Sequence, residues 1–168
     1  DYLVLGVGAE ANLDLAAGAR EHALAFNTLD DVRALEHRLQ DIEDAYADDR
    51  GDTVSVAVVG GGPSGVELAA TVSDRLQKSL GTGAVRVTLY VAGADLMESF
   101  APEARDVARE TLASKNIEVL YNHRVEEVVK ATTGPSPSSS SEDAKEGGED
   151  VYELRVQRQG EGESVRET

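Results

Sequence analysis

The sequence of 168 residues contains no cysteine and no tryptophan. Without a thiol there is no disulfide staple, no thiolate zinc site and no thiol chemistry inside the chain. Aromatic residues make up only 4%, so a core has to be built from Val, Leu, Ile and Ala. Basic residues are scarce as well. Sixteen Lys and Arg stand against 32 Asp and Glu, a formal net charge of -16. Nucleic acid is a poor partner for so acidic a chain, and none is expected, because phosphate binding needs a basic face; the charge reads as a solvated acidic surface. No apolar run approaches the roughly 18 residues of a membrane span. No secretory signal is present, but the chain opens on "DYLVLGVG" without an initiator Met. That opening is expected of a piece of a longer protein, so the missing signal carries no information.

What is present is globular. Apolar residues make up 40% of a chain long enough for one domain with a real core. Asp1 to Ala9 reads as a buried strand closed by a glycine turn, followed by a loop to about Phe26. Leu29, Val32, Leu35, Leu39, Ile42 and Tyr46 then recur every three or four residues, which is one face of a helix. Thr28 stands at its N-cap, with Asp30 and Asp31 in the first turn where the helix dipole favours them. Val54 to Val59 reads as a strand covered on both faces. Ser64 to about Leu80 is a helix with Ala69, Val72, Leu76 and Leu80 on one side, and Val85, Val87, Leu89 and Val91 share one face of a further strand. Val54 to Val91 is therefore a β–α–β unit with parallel strands. A helix over Pro102–Lys115, a strand over Ile117–Tyr121 and two antiparallel strands over Arg124–Lys130 and Val151–Gln157 follow. Between the last two lies "ATTGPSPSSSSEDAKEGGED", whose composition cannot bury apolar surface. It is read as a disordered hairpin insertion at 131–150, either a tolerated insertion or a phosphorylated regulatory loop. Residues 161–168 read as a frayed end.

Chemistry concentrates in "VAVVGGGPSGVELAA", Val56 to Ala70. Gly60, Gly62 and Gly65 make G-x-G-x-x-G. Gly60 permits a tight turn out of the strand, Gly62 lets the backbone approach a pyrophosphate, and Gly65 lets the helix pack closely on the sheet. The free N–H groups opening the Ser64 helix then face the phosphates. The motif alone is weak, but a strand before it, a helix after it and a second strand beyond are its confirming context. Gly61, Pro63, Ser64 and Val66 complete the candidate contact set. The second strand usually ends in an acid that holds the ribose hydroxyls. Here that place is taken by Val91 and then Ala92. No arginine stands there either, so the expectation is a site that tolerates NADPH as well as NADH. His22, His37 and His123 are widely spaced and read as solvated. No catalytic residue and no metal site are assigned.

Four blocks in order, "DYLVLGVGAEANLD", "GAREHALAFNTLDDVRAL", the glycine-turn block and "VTLYVAGADLMESFAPEARDVARETLASKNIEVLYNHRVEEV", resemble the middle of FAD-dependent pyridine nucleotide-disulfide oxidoreductases. Within that superfamily the chain is most similar to type II NAD(P)H:quinone dehydrogenases, including the plastid-associated plant and algal group. The resemblance implies an α/β fold: a Rossmann-like NAD(P)-binding domain with a parallel sheet, helices on one face and an antiparallel β-meander on the other. It implies that residues 1–26 end the FAD-binding domain and connect it, and that 27–160 are the NAD(P)-binding domain. Of the two glycine turns in that family, "GGGPSG" follows the "LVLGVGA" strand and so corresponds to the NAD(P) copy. Gly60 to Gly65 are then implied to hold the NAD(P)H pyrophosphate. Glu67 matches an acid lying toward the nicotinamide, or else is a first-turn Glu favoured by the dipole. Gly8 and Ala9 match a segment that closes over the flavin. The FAD motifs, the strand returning from the NAD domain and the C-terminal region that binds membrane and quinone are not in the chain.

The function so implied is the NAD(P)H-binding part of an enzyme passing electrons from nicotinamide through FAD to a quinone, with the segment alone inactive. A different acceptor (ferredoxin, a disulfide, or an apoptosis-inducing-factor-like role) and a non-catalytic nucleotide-binding domain stay open as alternatives. Location in a plastid or mitochondrion, and peripheral membrane contact through regions outside the chain, are implied by the resemblance alone.

Overall fold

The computed structural model describes residues 2–3, 10–48, 53–131, 152–158 and 164–167. Residues 1 and 4–9 of the opening strand expected over 1–9, and residues 132–150 of the insertion expected over 131–150, lie outside the described residues. The first long element is α2 (Leu29–Asp48), preceded by the single-turn α1 (Ala19–His22). The start of α2 is set by its sequence. Thr28 Oγ1 accepts from the Asp31 amide at 3.2 Å, while Asp31 Oδ2 accepts from the Thr28 amide at 2.7 Å and the Asn27 amide at 3.0 Å. This is a reciprocal capping box with Asp in place of the usual Glu.

Three strands, β1 (Val54–Val59), β2 (Val85–Val91) and β3 (Glu118–Tyr121), form a sheet in the order β1-β2-β3. Both pairs are parallel, with Val58 opposite Leu89 and Leu89 opposite Val119. Helix α3 (Pro63–Leu80) joins β1 to β2, and α4 (Pro102–Ser114) joins β2 to β3. Both helices start on Pro at a position where its missing N–H costs nothing. A second sheet holds β4 (His123–Lys130), β5 (Tyr152–Arg158) and β6 (Ser164–Glu167) as an antiparallel meander.

The alternation in β2 decides how these layers stack. Val87, Leu89 and Val91 point to one face and are buried against Val66 and Ala69 of α3 and Ala108 and Leu112 of α4. Tyr90 points to the other face and packs with Val125, Val128 and Val156 of the meander. Helices therefore cover one face of the parallel sheet and the meander covers part of the other, as the resemblance implies. Leu39 of α2 packs on Val72 and Leu76 of α3. Arg75 fastens the same pair of helices, donating to both carboxylate oxygens of Glu43 at 3.0 Å. Fully burying one such leucine is worth about 1.5–3 kcal/mol, so aliphatic side chains suffice where aromatics are few.

Strand β1 is not covered on both faces as its sequence suggests, since Ser55, Ala57 and Val59 are exposed, and two further stretches differ from the sequence reading. The loop expected up to Phe26 contains a 3-10 turn at Leu13–Leu15 and α1. Ala17 bridges to β4, donating to the Glu126 carbonyl and accepting from the Val128 amide, both at 2.8 Å. Small residues on either side let the chain come this close to a strand, and Ala19 is buried there. The frayed end expected at 161–168 is instead β6 over Ser164–Glu167, with Val165 opposite Val156. A polar composition hid it, because completing an open strand edge needs only main-chain donors and acceptors.

Candidate nucleotide-binding site

Strand β1 is followed by Gly60, which has φ 122°, a conformation that side-chain-bearing residues rarely adopt. The turn is anchored by Gly60 N–H donating to the Tyr90 carbonyl at 2.9 Å. The chain then reverses into α3, whose N-cap is Gly62 with φ -77° and ψ 176°. No side chain caps this helix. The main-chain donors of its first turn are therefore left for whatever lies in front of them.

The motif glycines are not equivalent: a Cβ on Gly60 would meet open space, and its positive φ alone calls for glycine. A Cβ on Gly65 would lie 1.9 Å from the Gly60 carbonyl oxygen, so only glycine lets the helix start pack on the turn. Gly65 was expected to let the helix pack on the sheet; the surface its missing Cβ spares is the turn itself. Gly62 is the opposite case. A Cβ there would meet nothing within 4 Å, and its backbone suits any residue. The fold has no need of glycine at 62. The need that remains is on the solvent side, where a pyrophosphate would approach the helix N-terminus.

The remaining candidates divide. Gly60, Gly61, Gly62, Pro63, Ser64 and Gly65 line the turn. Val66 is buried at 8% relative exposure and belongs to the core. Val91 is also buried, and its side chain lies beneath the turn: a Cβ on Gly61 would stand 2.5 Å from Val91 Cγ1. The Val91 side chain thus supports the turn by packing and brings no polar group to a ribose. Ala92 is half-buried beside it. Glu67 lies beyond the first turn of α3, which carries no acid, so the dipole reading of Glu67 loses its basis. Glu67 is exposed and borders an apolar groove of about 280 Å³ between α2 and α3, with Phe26, Val32 and Leu39. Gly8 and Ala9 lie outside the described residues.

Two histidines are less solvated than expected. His123 donates through Nδ1 to the Tyr121 carbonyl at 2.6 Å. The His22 ring lies 5.6 Å from the Tyr152 ring. His37 is exposed on α2. Among the described residues, no cluster of His, Asp or Glu could hold a metal ion. No helix among them is long and apolar enough to cross a membrane.

Sequence reasoning missed the segment after β2. Asp95 receives Arg105 Nη1 at 2.9 Å and Arg109 Nη2 at 2.6 Å. The hydrogen bond from Arg109 comes first in holding the Asp95 carboxyl below its ordinary range, against some desolvation, with help from the Leu96 amide. Met97 N–H donates to the Gly61 carbonyl at 2.8 Å, and Leu96 is fully buried. The loop that begins at Ala92 is thereby tied onto the glycine turn. The chain signal was a lone Leu-Met between polar residues, too short to carry a periodicity.

A glycine turn of this shape, between parallel strands that carry helices on one face and a meander on the other, agrees with what sequence comparison finds. The family profile of the pyridine nucleotide-disulphide oxidoreductases matches residues 1–157. The chain belongs to this family. It is 36% identical over 133 residues to the alternative NAD(P)H-ubiquinone oxidoreductase C1, chloroplastic/mitochondrial, of Arabidopsis thaliana, a match covering 79% of this chain and 24% of that protein. It is 33% identical over 117 residues to the demethylphylloquinone reductase NdbB of a Synechocystis species, covering 70% of this chain and 27% of that protein. Among solved structures, NDH2 of Plasmodium falciparum in complex with NADH superposes with a TM-score of 0.71 at 22% identity, over 95% of this chain and 31% of that one. The chain spans about a quarter of the length of these curated relatives.

Proposed function

We propose that this chain is the NAD(P)H-binding part of an FAD-dependent NAD(P)H dehydrogenase that passes electrons from nicotinamide through flavin to a quinone. The observation that carries the reading is the open space in front of Gly62, at a helix N-terminus inside this family's fold. A glycine that the fold does not require, placed between two that it does, is accounted for by a ligand that must come closer than a Cβ allows. The first-turn amides of α3 hold the pyrophosphate, and Gly60 and Gly65 fix the shape of the turn around it. Glu67, exposed one turn further on, lies toward the nicotinamide.

The quinone acceptor is supported by the curated relatives, whose names specify ubiquinone or demethylphylloquinone reduction. Flavin, where bound, would supply the hydride chemistry, with the protein binding and orienting it. Its proposed contacts in this chain are Gly8 and Ala9. The nucleotide unit is taken as residues 27–160, with the segment before it belonging to the flavin side. The reading also extends to a plastid or mitochondrial location, after the compartments in the name of the Arabidopsis relative, and to peripheral membrane contact through regions outside residues 1–168.

The test is made on the full-length protein. Its absorbance is expected to show bound flavin, and NADH or NADPH is expected to drive reduction of a soluble ubiquinone analogue. Absence of flavin, or turnover with ferredoxin or a disulfide and none with a quinone, overturns the reading.

A further inference from the structure

Where β2 ends in Val91 and Ala92, the sequence offers no acid for a ribose. The folded chain supplies one from elsewhere. The loop after β2 doubles back, and the carboxylate of Glu98 comes to rest over Gly93. A Cβ on Gly93 would stand 2.5 Å from Glu98 Oε1 and 3.2 Å from its carboxyl carbon. Three contacts hold the loop in this position. Met97 donates to Gly61 in the glycine turn, the Asn122 amide donates to the Gly93 carbonyl at 2.9 Å, and Leu96 is buried in the core. Met97 itself has φ 47°, the sharp reversal that turns the next residue back toward the strand end. Glu98 is exposed, and no hydrogen bond or ion pair to it is found among the described residues. A carboxylate that is free, acceptor-only and placed beside the strand end is matched to a diol that has two donors to offer.

We propose that Glu98, presented over Gly93 by the 93–98 loop, receives the adenosine ribose hydroxyls and makes the site prefer NADH to NADPH. This rests on the nucleotide-binding reading above. A phosphate on the 2′ oxygen would bring like charge against the carboxylate and remove one of the hydroxyl donors. The arginines of α4 do not offset this, because Arg105 and Arg109 are both engaged with Asp95, and Arg109 also pairs with Asp106. The acid of the site thus comes from seven residues past the strand end, and the tolerance of NADPH expected from Val91 and Ala92 does not follow.

The experiment compares NADH and NADPH binding by nucleotide fluorescence titration in the full-length protein, its Glu98→Gln variant and its Gly62→Val variant. The wild type is expected to bind NADH at least about tenfold more tightly than NADPH, the scale of one like-charge contact. Glu98→Gln is expected to bring that ratio close to one, by weaker NADH and tighter NADPH binding, with the melting temperature unchanged because the side chain is exposed. Gly62→Val is expected to lose both nucleotides. A ratio unchanged in Glu98→Gln, with both nucleotides lost in Gly62→Val, overturns the role of Glu98 and leaves the site in place. Wild-type affinity for both nucleotides in Gly62→Val overturns the site, and the proposal with it.

Discussion

Gly62 and Gly65 stand three residues apart in one motif, and the structure separates their roles sharply enough to test each alone. At Gly62, φ is -77°, ψ is 176° and a Cβ meets nothing within 4 Å. Gly62→Ala narrows the unfolded ensemble by about 0.4–1 kcal/mol and exchanges a favoured N-cap residue for a poor one at a similar cost, so stability should change by less than about 1 kcal/mol. The same Cβ pushes a bound pyrophosphate away from the first-turn amides. Charge-assisted hydrogen bonds contribute about 1.5–3 kcal/mol each. Losing two of them weakens binding by about 3–6 kcal/mol, or about two to four decades in Kd. Gly62→Val, larger and branched, should leave no measurable binding. At Gly65 the cost falls on the fold instead. A Cβ placed 1.9 Å from the Gly60 oxygen and 3.0 Å from its carbonyl carbon forces the helix off the turn, so Gly65→Ala should cost about 1–3 kcal/mol of stability as an overpacked site. Thermal melts read the first quantity and NADH titration the second. The reasoning is refuted if Gly62→Ala destabilises by more than 1 kcal/mol, if Gly62→Val binds NADH as the wild type does, or if Gly65→Ala melts at the wild-type temperature.

Leu76 is fully buried between α2, α3 and the sheet, so Leu76→Ala should cost about 2–5 kcal/mol in denaturant unfolding; a loss under 1 kcal/mol would mean the α2–α3 contact contributes little to this core. Asp31, Glu43 and Asp95 all have folded pKa values lowered from 3.8, 4.5 and 3.8, chiefly by the Thr28 amide, Arg75 and Arg109 respectively. A lowered folded pKa gives stability that is complete above the unfolded pKa and is lost as pH falls through the folded value. The melting temperature of Asp95→Asn should therefore lie below that of the wild type at pH 7 and converge on it below about pH 4; a gap of constant size would assign the effect to packing. Deleting Thr133 to Gly148, a segment read from composition as a passive insertion, should leave NADH affinity within about twofold; a loss beyond tenfold would place it in the site.

The β–α–β unit and its glycine turn were legible because each rests on local physics. The alternation of Val85, Val87, Leu89 and Val91 states which face of β2 is buried, and the structure buries Val87, Leu89 and Val91 on that face. Thr28 and Asp31 lie three residues apart and cap the same helix end, so their spacing is itself the signal. β6 was not legible, since a strand held by main-chain pairing along the edge of β5 needs no apolar pattern of its own. α1 was missed for a related reason: four residues are too few for a helical periodicity, and its position is set by the distant bridge from Ala17 to β4.

Glu98 marks where reading along the chain fails in principle. The rule that an acid ends the second strand is a statement about space, and it becomes a statement about sequence only while the chain runs straight. After Val91 it does not run straight. Leu96 has to reach the core under the sheet end, Met97 has to meet the Gly61 carbonyl, and satisfying both reverses the backbone at a positive φ. The residue after such a reversal returns to the strand end it has just left. Val91 can then be apolar without emptying the site of charge, because its side chain supports Gly61 from beneath while the carboxylate arrives from above Gly93. On the proposal made above, Val91 supports the turn and Glu98 takes the ribose contact that an acid at the strand end makes in the usual arrangement. Replacing Val91 by Glu alone would therefore not restore that arrangement: it would put a charge in a space 3% exposed beneath Gly61, and the expected result is a lower melting temperature rather than tighter NADH binding.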